Sequence, residues 1–168
     1  MNLSIESRIT PEEQARIDQA LRGVVRYRDV RPNRRPANDP NAAWQSPLYK
    51  YFDKDGSQFA RTVPPVVVSD EFRLSVGIVG PGGGAPLHDH SNEELMFVAS
   101  GQFVVFFDEQ EQNKVLLDTW DAILVPPNVW RGWRNVGKEV GCFLNLSGIH
   151  DKMKSQPDPS SAASISCQ

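Results

Sequence analysis

GGGAPLHDHSNEELMFVASG, residues Gly82 to Gly101, holds two of the three histidines in the chain. His88 and His90 are two apart. Side chains alternate faces along a β-strand, so this pair points one way and Asp89 the other. Glu94 has the same parity but lies beyond Ser91-Asn92, which reads as a turn. A chain that folds back there returns Glu94 on the neighbouring strand, beside the two imidazoles. Two neutral imidazoles and one carboxylate suit a divalent metal ion and leave coordination positions open for substrate or oxygen. The same spacing also fits a surface strand with two solvated rings and a solvated Glu93-Glu94 pair.

The stretch resembles the first motif of the cupin superfamily, which runs Gly, five residues, His-x-His, three or four residues, Glu, six residues, Gly. Gly82, His88, His90, Glu94 and Gly101 match it interval by interval. The second cupin motif, Gly, five residues, Pro-x-Gly, two residues, His, three residues, Asn, aligns with WDAILVPPNVWRGWRN, Trp120 to Asn135. Pro126 and Asn135 match. Trp120 and Asn128 stand where glycines are usual, and Arg131 stands where the family places its last metal-binding histidine. Arginine stays protonated and is not an ordinary metal ligand. The resemblance covers about residues 66–148 and implies an all-β fold: a double-stranded β-helix (cupin, jelly-roll) barrel, here with an N-terminal helix. It reduces the metal ligands to His88, His90 and Glu94.

The balance of eighteen basic and twenty-one acidic residues gives no hint of nucleic-acid binding. No apolar run is long enough to span a bilayer, and the N-terminus lacks the apolar core of a signal peptide. Cys142 and Cys167 are too few for a disulfide framework, so a cytoplasmic protein is expected. The length fits one domain, divided into an N-terminal helix with an Arg/Pro-rich wrapping loop (1–47), the barrel (48–150) and a flexible tail (151–168).

Thr10-Pro11-Glu12-Glu13 is a helix start, with Thr10 as cap, Pro11 in the first turn and Glu13 completing a capping box. Ile17, Ala20, Leu21 and Val24 follow at helical spacing, and Gly23 supplies a stop, which predicts a helix over about 11–22. The helix should pack on the outside of the barrel or on a partner subunit. Residues 26–47 carry five arginines; they should form a solvated loop, or a lid or dimer arm anchored by Trp44. Strands are expected at 48–52, 58–63 and 66–68. Phe72, Leu74, Val76 and Ile78 then alternate with Arg73, Ser75, Gly77 and Val79. The glycines at 82–84 form a sharp loop, not a phosphate cradle, because no Lys-Ser/Thr and no helix follows. Short strands continue to Leu146. His150 lies outside both motifs.

A net positive metal site attracts an anionic or chelating oxygen substrate. Arg131, if it faces inward, clamps a carboxylate or phenolate and serves catalysis; if outward, it pairs with an acid such as Glu139. Phe97, Phe106, Trp130 and Trp133 either shape a substrate pocket, with Phe97, Phe106 and Trp133 as binding residues, or are barrel core. Asp89 or Glu93 can orient a ligand imidazole from behind. The family resemblance implies a non-haem Fe(II) dioxygenase for a small enol, phenol or carboxylate, with Mn, Ni or Zn as other metals. A Lewis-acid isomerase, lyase or cyclase and a non-enzymatic binding protein are the alternatives. The expected partners are a small-molecule substrate and a second copy in a homodimer, with no nucleic acid and no membrane.

Overall fold

A computed structural model describes residues 9–33, 47–54, 63–150 and 153–155. The capping box forms as the sequence dictates. Glu13 N donates to Thr10 Oγ1 at 3.2 Å, and Thr10 N donates to Glu13 Oε2 at 2.7 Å. Helix α1 (Pro11–Arg22) ends at Gly23, whose N–H returns to the Ala20 carbonyl. No α1 residue is buried within the chain, so its apolar stripe has no cover from the barrel. The stretch from Arg26, expected to lack regular structure, contributes a 3-10 turn at Tyr27–Asp29 and a short strand β1 (Pro32–Asn33). Trp44 lies outside the described residues.

Eleven strands follow: β2 (Leu48–Asp53), β3 (Val67–Val68), β4 (Phe72–Val79), β5 (Gly84–His90), β6 (Glu94–Ser100), β7 (Phe103–Phe106), β8 (Lys114–Leu117), β9 (Ala122–Val125), β10 (Arg131–Asn135), β11 (Gly141–Gly148) and β12 (Met153–Ser155). The strand expected at 58–63 falls almost wholly outside the described residues. Within the stretch 151–168, expected to be a flexible tail, strand β12 instead pairs its backbone with β5 opposite His88, Asp89 and His90; the rest of that stretch lies outside the described residues.

One sheet runs β1-β2-β4-β11-β6-β9 with β3 added on β2; the other runs β12-β5-β10-β7-β8. The links β4–β5, β6–β7, β8–β9 and β10–β11 each cross between corresponding places in the two orders. The sheets therefore lie face to face, which is the jelly-roll arrangement. A Cβ placed on Gly77 of β4 would sit 3.5 Å from the Trp133 ring of β10, so the two sheets touch there.

The space between the sheets has two chemically different halves. Val79, Met96, Val98, Phe103, Val105, Leu117, Val125, Trp133 and Phe143 fill one as a continuous apolar core. The other half receives charge. On β4, the buried positions are Arg73, Ser75, Gly77 and Val79, while Phe72, Leu74, Val76 and Ile78 face outward. An alternating strand ordinarily turns its apolar set inward. Here the seven-stranded sheet presents much of its apolar set to the outside and a polar set to the interior.

Candidate metal centre

The histidines owe their direction to a bulge. Along the β5–β10 ladder Arg131 pairs with His88 and Trp133 pairs with Ala85. Strand β10 advances two residues where β5 advances three. The extra residue falls at Pro86-Leu87, where proline, with no N–H to give the ladder, is tolerated. Leu87 turns outward into a separate cluster with Val104, Phe106 and Trp130. Ala85, His88 and His90 all face in. The bulge also leaves the Pro86 carbonyl 2.7 Å from His88 Nδ1. A carbonyl only accepts, so Nδ1 carries the proton and Nε2 is left as the donor for a metal. Pro86, rather than Asp89 or Glu93, is thus the group that orients this ring. Asp89 faces the opposite side of the strand, and Glu93 is exposed.

Glu94 opens β6 and pairs with Ser147 on one side and Val125 on the other. Its carboxylate is buried and divided between two neighbours. Oε1 lies 3.6 Å from His90 Nε2, and Oε2 lies 3.3 Å from Arg131 Nε. The fold-back at Ser91-Asn92 thus brings Glu94, which parity alone could not place, beside the two histidines. One ligand atom from each of His88, His90 and Glu94 lies within 4.8 Å of the others, and all three residues are buried. The residues fit a divalent ion. The 3.6 Å separation suits two donors each about 2.1 Å from one ion. His88 has its tautomer fixed, and Glu94 keeps one oxygen on the histidine side.

Arg131 is fully buried and faces inward, which removes the alternative that it points out to Glu139. Its Nη1 donates to the Val129 carbonyl at 2.8 Å while Nε sits against Glu94. The guanidinium replaces the absent fourth ligand by holding the outer oxygen of the third. Around it, the polar half continues with Arg73, whose Nε is 3.1 Å from Asp53 Oδ1 and whose Nη1 donates to Ser147 Oγ at 3.1 Å. Lys50, Ser75 and Asn145 complete this wall of the interior. None of these wall residues belongs to either sequence motif.

The aromatic residues expected at the substrate site do not gather there. Phe97 lies on the outward face of β6, edge-on to Trp120 at 5.6 Å between centroids. Phe106 belongs to the outward cluster, its ring over Gly132, where any side chain would collide with it. Trp133 does face the interior, but in the apolar half, packed on Phe103 and Phe143. His150 is exposed and apart from the triad.

The second-motif departures keep the backbone that glycine would give. Trp120 has φ 78° and Asn128 has φ 59°, both left-handed. The Asn128 N–H donates to the His90 carbonyl at 2.8 Å, which ties the second motif to the histidine strand. Asn135 has a structural role: Nδ2 donates to the carbonyls of Val79 and Glu139, and Oδ1 accepts from Gly137 N.

No curated protein matches the sequence. The polyketide cyclase RemF from Streptomyces resistomycificus is similar in structure, with a TM-score of 0.60 at 20% identity over 85% of this chain and 93% of that one. A structure of the DMSP lyases RdDddP and RnDddQII gives 0.51 at 20% identity over 66% of this chain and 53% of that one. A double-stranded β-helix protein from Klebsiella pneumoniae gives 0.46 at 17% identity, over 52% and 78% respectively. The family model for the cupin domain matches residues 75–147, which span both motifs and the triad. Two facing sheets, the histidine strand and this match agree: residues 75–147 form a cupin domain.

Proposed function

We propose that the protein is a metal-dependent enzyme acting on a small anionic, oxygen-rich substrate by Lewis-acid rather than redox chemistry. The buried His88–His90–Glu94 set carries this reading. A divalent ion held there supplies positive charge where negative charge builds on a substrate oxygen. The protein's own groups do the rest. Pro86 fixes the His88 tautomer, Arg131 holds Glu94 in place as a positioning residue, and the enclosed polar wall excludes bulk water from the reacting atoms. The non-redox reading takes support from the acid–base side chains of that wall, which suit proton transfer, and from the cyclase and lyase among the structural neighbours.

An Fe(II) dioxygenase remains the second reading, because a two-histidine, one-carboxylate set leaves room for both substrate and O₂. The experiment is turnover of a panel of enols, phenols and hydroxy- or oxo-acids by Zn(II)- and Fe(II)-loaded protein, with and without O₂. Anaerobic product formation by the zinc form supports the Lewis-acid reading. Activity confined to the iron form, with stoichiometric O₂ uptake, contradicts it and supports the second.

We also propose a homodimer that covers the outward face of the seven-stranded sheet. Leu124 is 55% exposed there and Trp120 75%, with Phe72 and Leu95 beside Leu124 around one open depression. An apolar surface of this kind marks an interface.

A further inference from the structure

Lys50 is 3% exposed, an unusual place for a lysine. Strand register puts it on the interior face: it lies opposite Ser75 of β4, which lies opposite Asn145 of β11. Strand β2 lies beside β4, the strand that faces β5, with β1 and β3 beyond it. Facing sheets are about 10 Å apart, so Lys50 and the histidines project into the same space between the sheets. Lys50 Nζ has no hydrogen-bond partner among the described residues. Asp53, the anion whose charge acts on Lys50, is shared: its Oδ1 accepts from Arg73 Nε and Lys54 N.

Charge points the same way. The described residues of this space carry three cations, Lys50, Arg73 and Arg131, against two anions, Asp53 and Glu94. A divalent ion at the triad adds to the excess. A buried cation whose nearby anion is shared with another cation carries a desolvation cost, which a further anion would reduce. Burial, joined by the Arg73 charge and opposed by Asp53, pushes the Lys50 ammonium down to about 8. A bound carboxylate relieves that penalty.

We propose that Lys50 forms an anion subsite inside the barrel, separate from His88, His90 and Glu94. It takes the second oxygen function of a small dicarboxylate or oxo-carboxylate whose first oxygen function sits at the metal. The inference rests on the metal-dependent reading above and specifies its substrate class. Lys50 is then a substrate-binding residue that neither cupin motif contains.

The test is calorimetric titration of the zinc-loaded full-length protein with succinate and with oxalate, in wild type and Lys50→Met, with metal content measured on each sample. Oxalate chelates a metal through both carboxylates and leaves nothing for Lys50; succinate reaches further. Lys50→Met matches the side-chain length and removes a buried charge, so it folds. The expected result is unchanged zinc content, at least a tenfold loss of succinate affinity and less than a threefold change for oxalate. Equal succinate affinity in the two proteins, no succinate binding by wild type, or equal losses for both ligands overturns the proposal. A wild type that takes up no zinc contradicts the metal reading alone. Succinate titration of the metal-free pair then decides Lys50 by the same comparison.

Discussion

Glu94 divides its two oxygens between His90 and Arg131, and that division makes Arg131 informative. Without metal, the guanidinium is a buried counter-charge for the carboxylate. Removing one member of such a pair leaves the other uncompensated. Arg131→Met should therefore destabilise the metal-free protein by about 3 kcal/mol in urea denaturation. Zinc should restore most of the loss by taking the place of the lost cation. An Arg131→Met protein as stable as wild type without metal would mean the pair does not hold the site. Lys50 makes a second prediction at this scale. Its folded pKa of about 8 lies below the ordinary lysine value of 10.5. Between those values the unfolded chain binds the proton more tightly, so stability rises with pH across that window; below it both states are protonated and the full penalty stands. The stability of wild type relative to Lys50→Met should climb by on the order of 3 kcal/mol from pH 7 to 10.5. A flat difference would place Lys50 in water.

Strand β5 works as a site because of one extra residue. A regular ladder through Pro86 could not face Ala85, His88 and His90 to the same side. The approach of β10 is equally demanding: a Cβ on Gly84 would lie 1.9 Å from the Trp133 carbonyl. Gly84→Ala should cost more than about 3 kcal/mol in thermal or urea unfolding, and an unchanged midpoint would contradict the close contact. The turn before β9 carries the opposite kind of strain. Trp120 holds a left-handed backbone that costs a non-glycine residue about 1–2 kcal/mol. Trp120→Gly should relieve it and raise the stability of the monomer. The motifs made the His88–His90–Glu94 cluster legible, because their spacing encodes the fold-back that parity cannot. The direction of Arg131 was not legible, since Pro126-Pro127 breaks the strand register just before it. Phe97 and Phe106 looked like pocket residues only because they are aromatic and near the motif. Their strand parity relative to Glu94 and Arg131 is what places them outside. Lys50, Arg73 and Asn145 carry no motif, and the only available signal was a lysine between two tyrosines in a strand.

Taken whole, the seven-stranded sheet is apolar on both faces. Val79, Met96, Val98, Val125 and Phe143 fill one half of the interior, further apolar residues of β4, β6, β9 and β11 face outward, and charge lines the other half of the interior. Ordinary folding physics does not favour this for an isolated sheet. It becomes reasonable if a second copy covers the outside and a charged ligand occupies the inside. Helix α1, with Ile17 and Leu21 exposed, is available to the same covering subunit. Sedimentation velocity should show a dimer that Leu124→Glu converts to monomer. A wild-type monomer at micromolar concentration would remove the first half of that explanation. The second half rests on the metal. Elemental analysis of purified protein after anaerobic loading tests it most directly, on wild type and on His88→Ala. About one ion per wild-type chain and almost none in the variant is the expected result, because two remaining ligands hold an ion poorly. No ion in wild type under any loading condition, or a full complement in His88→Ala, would contradict it.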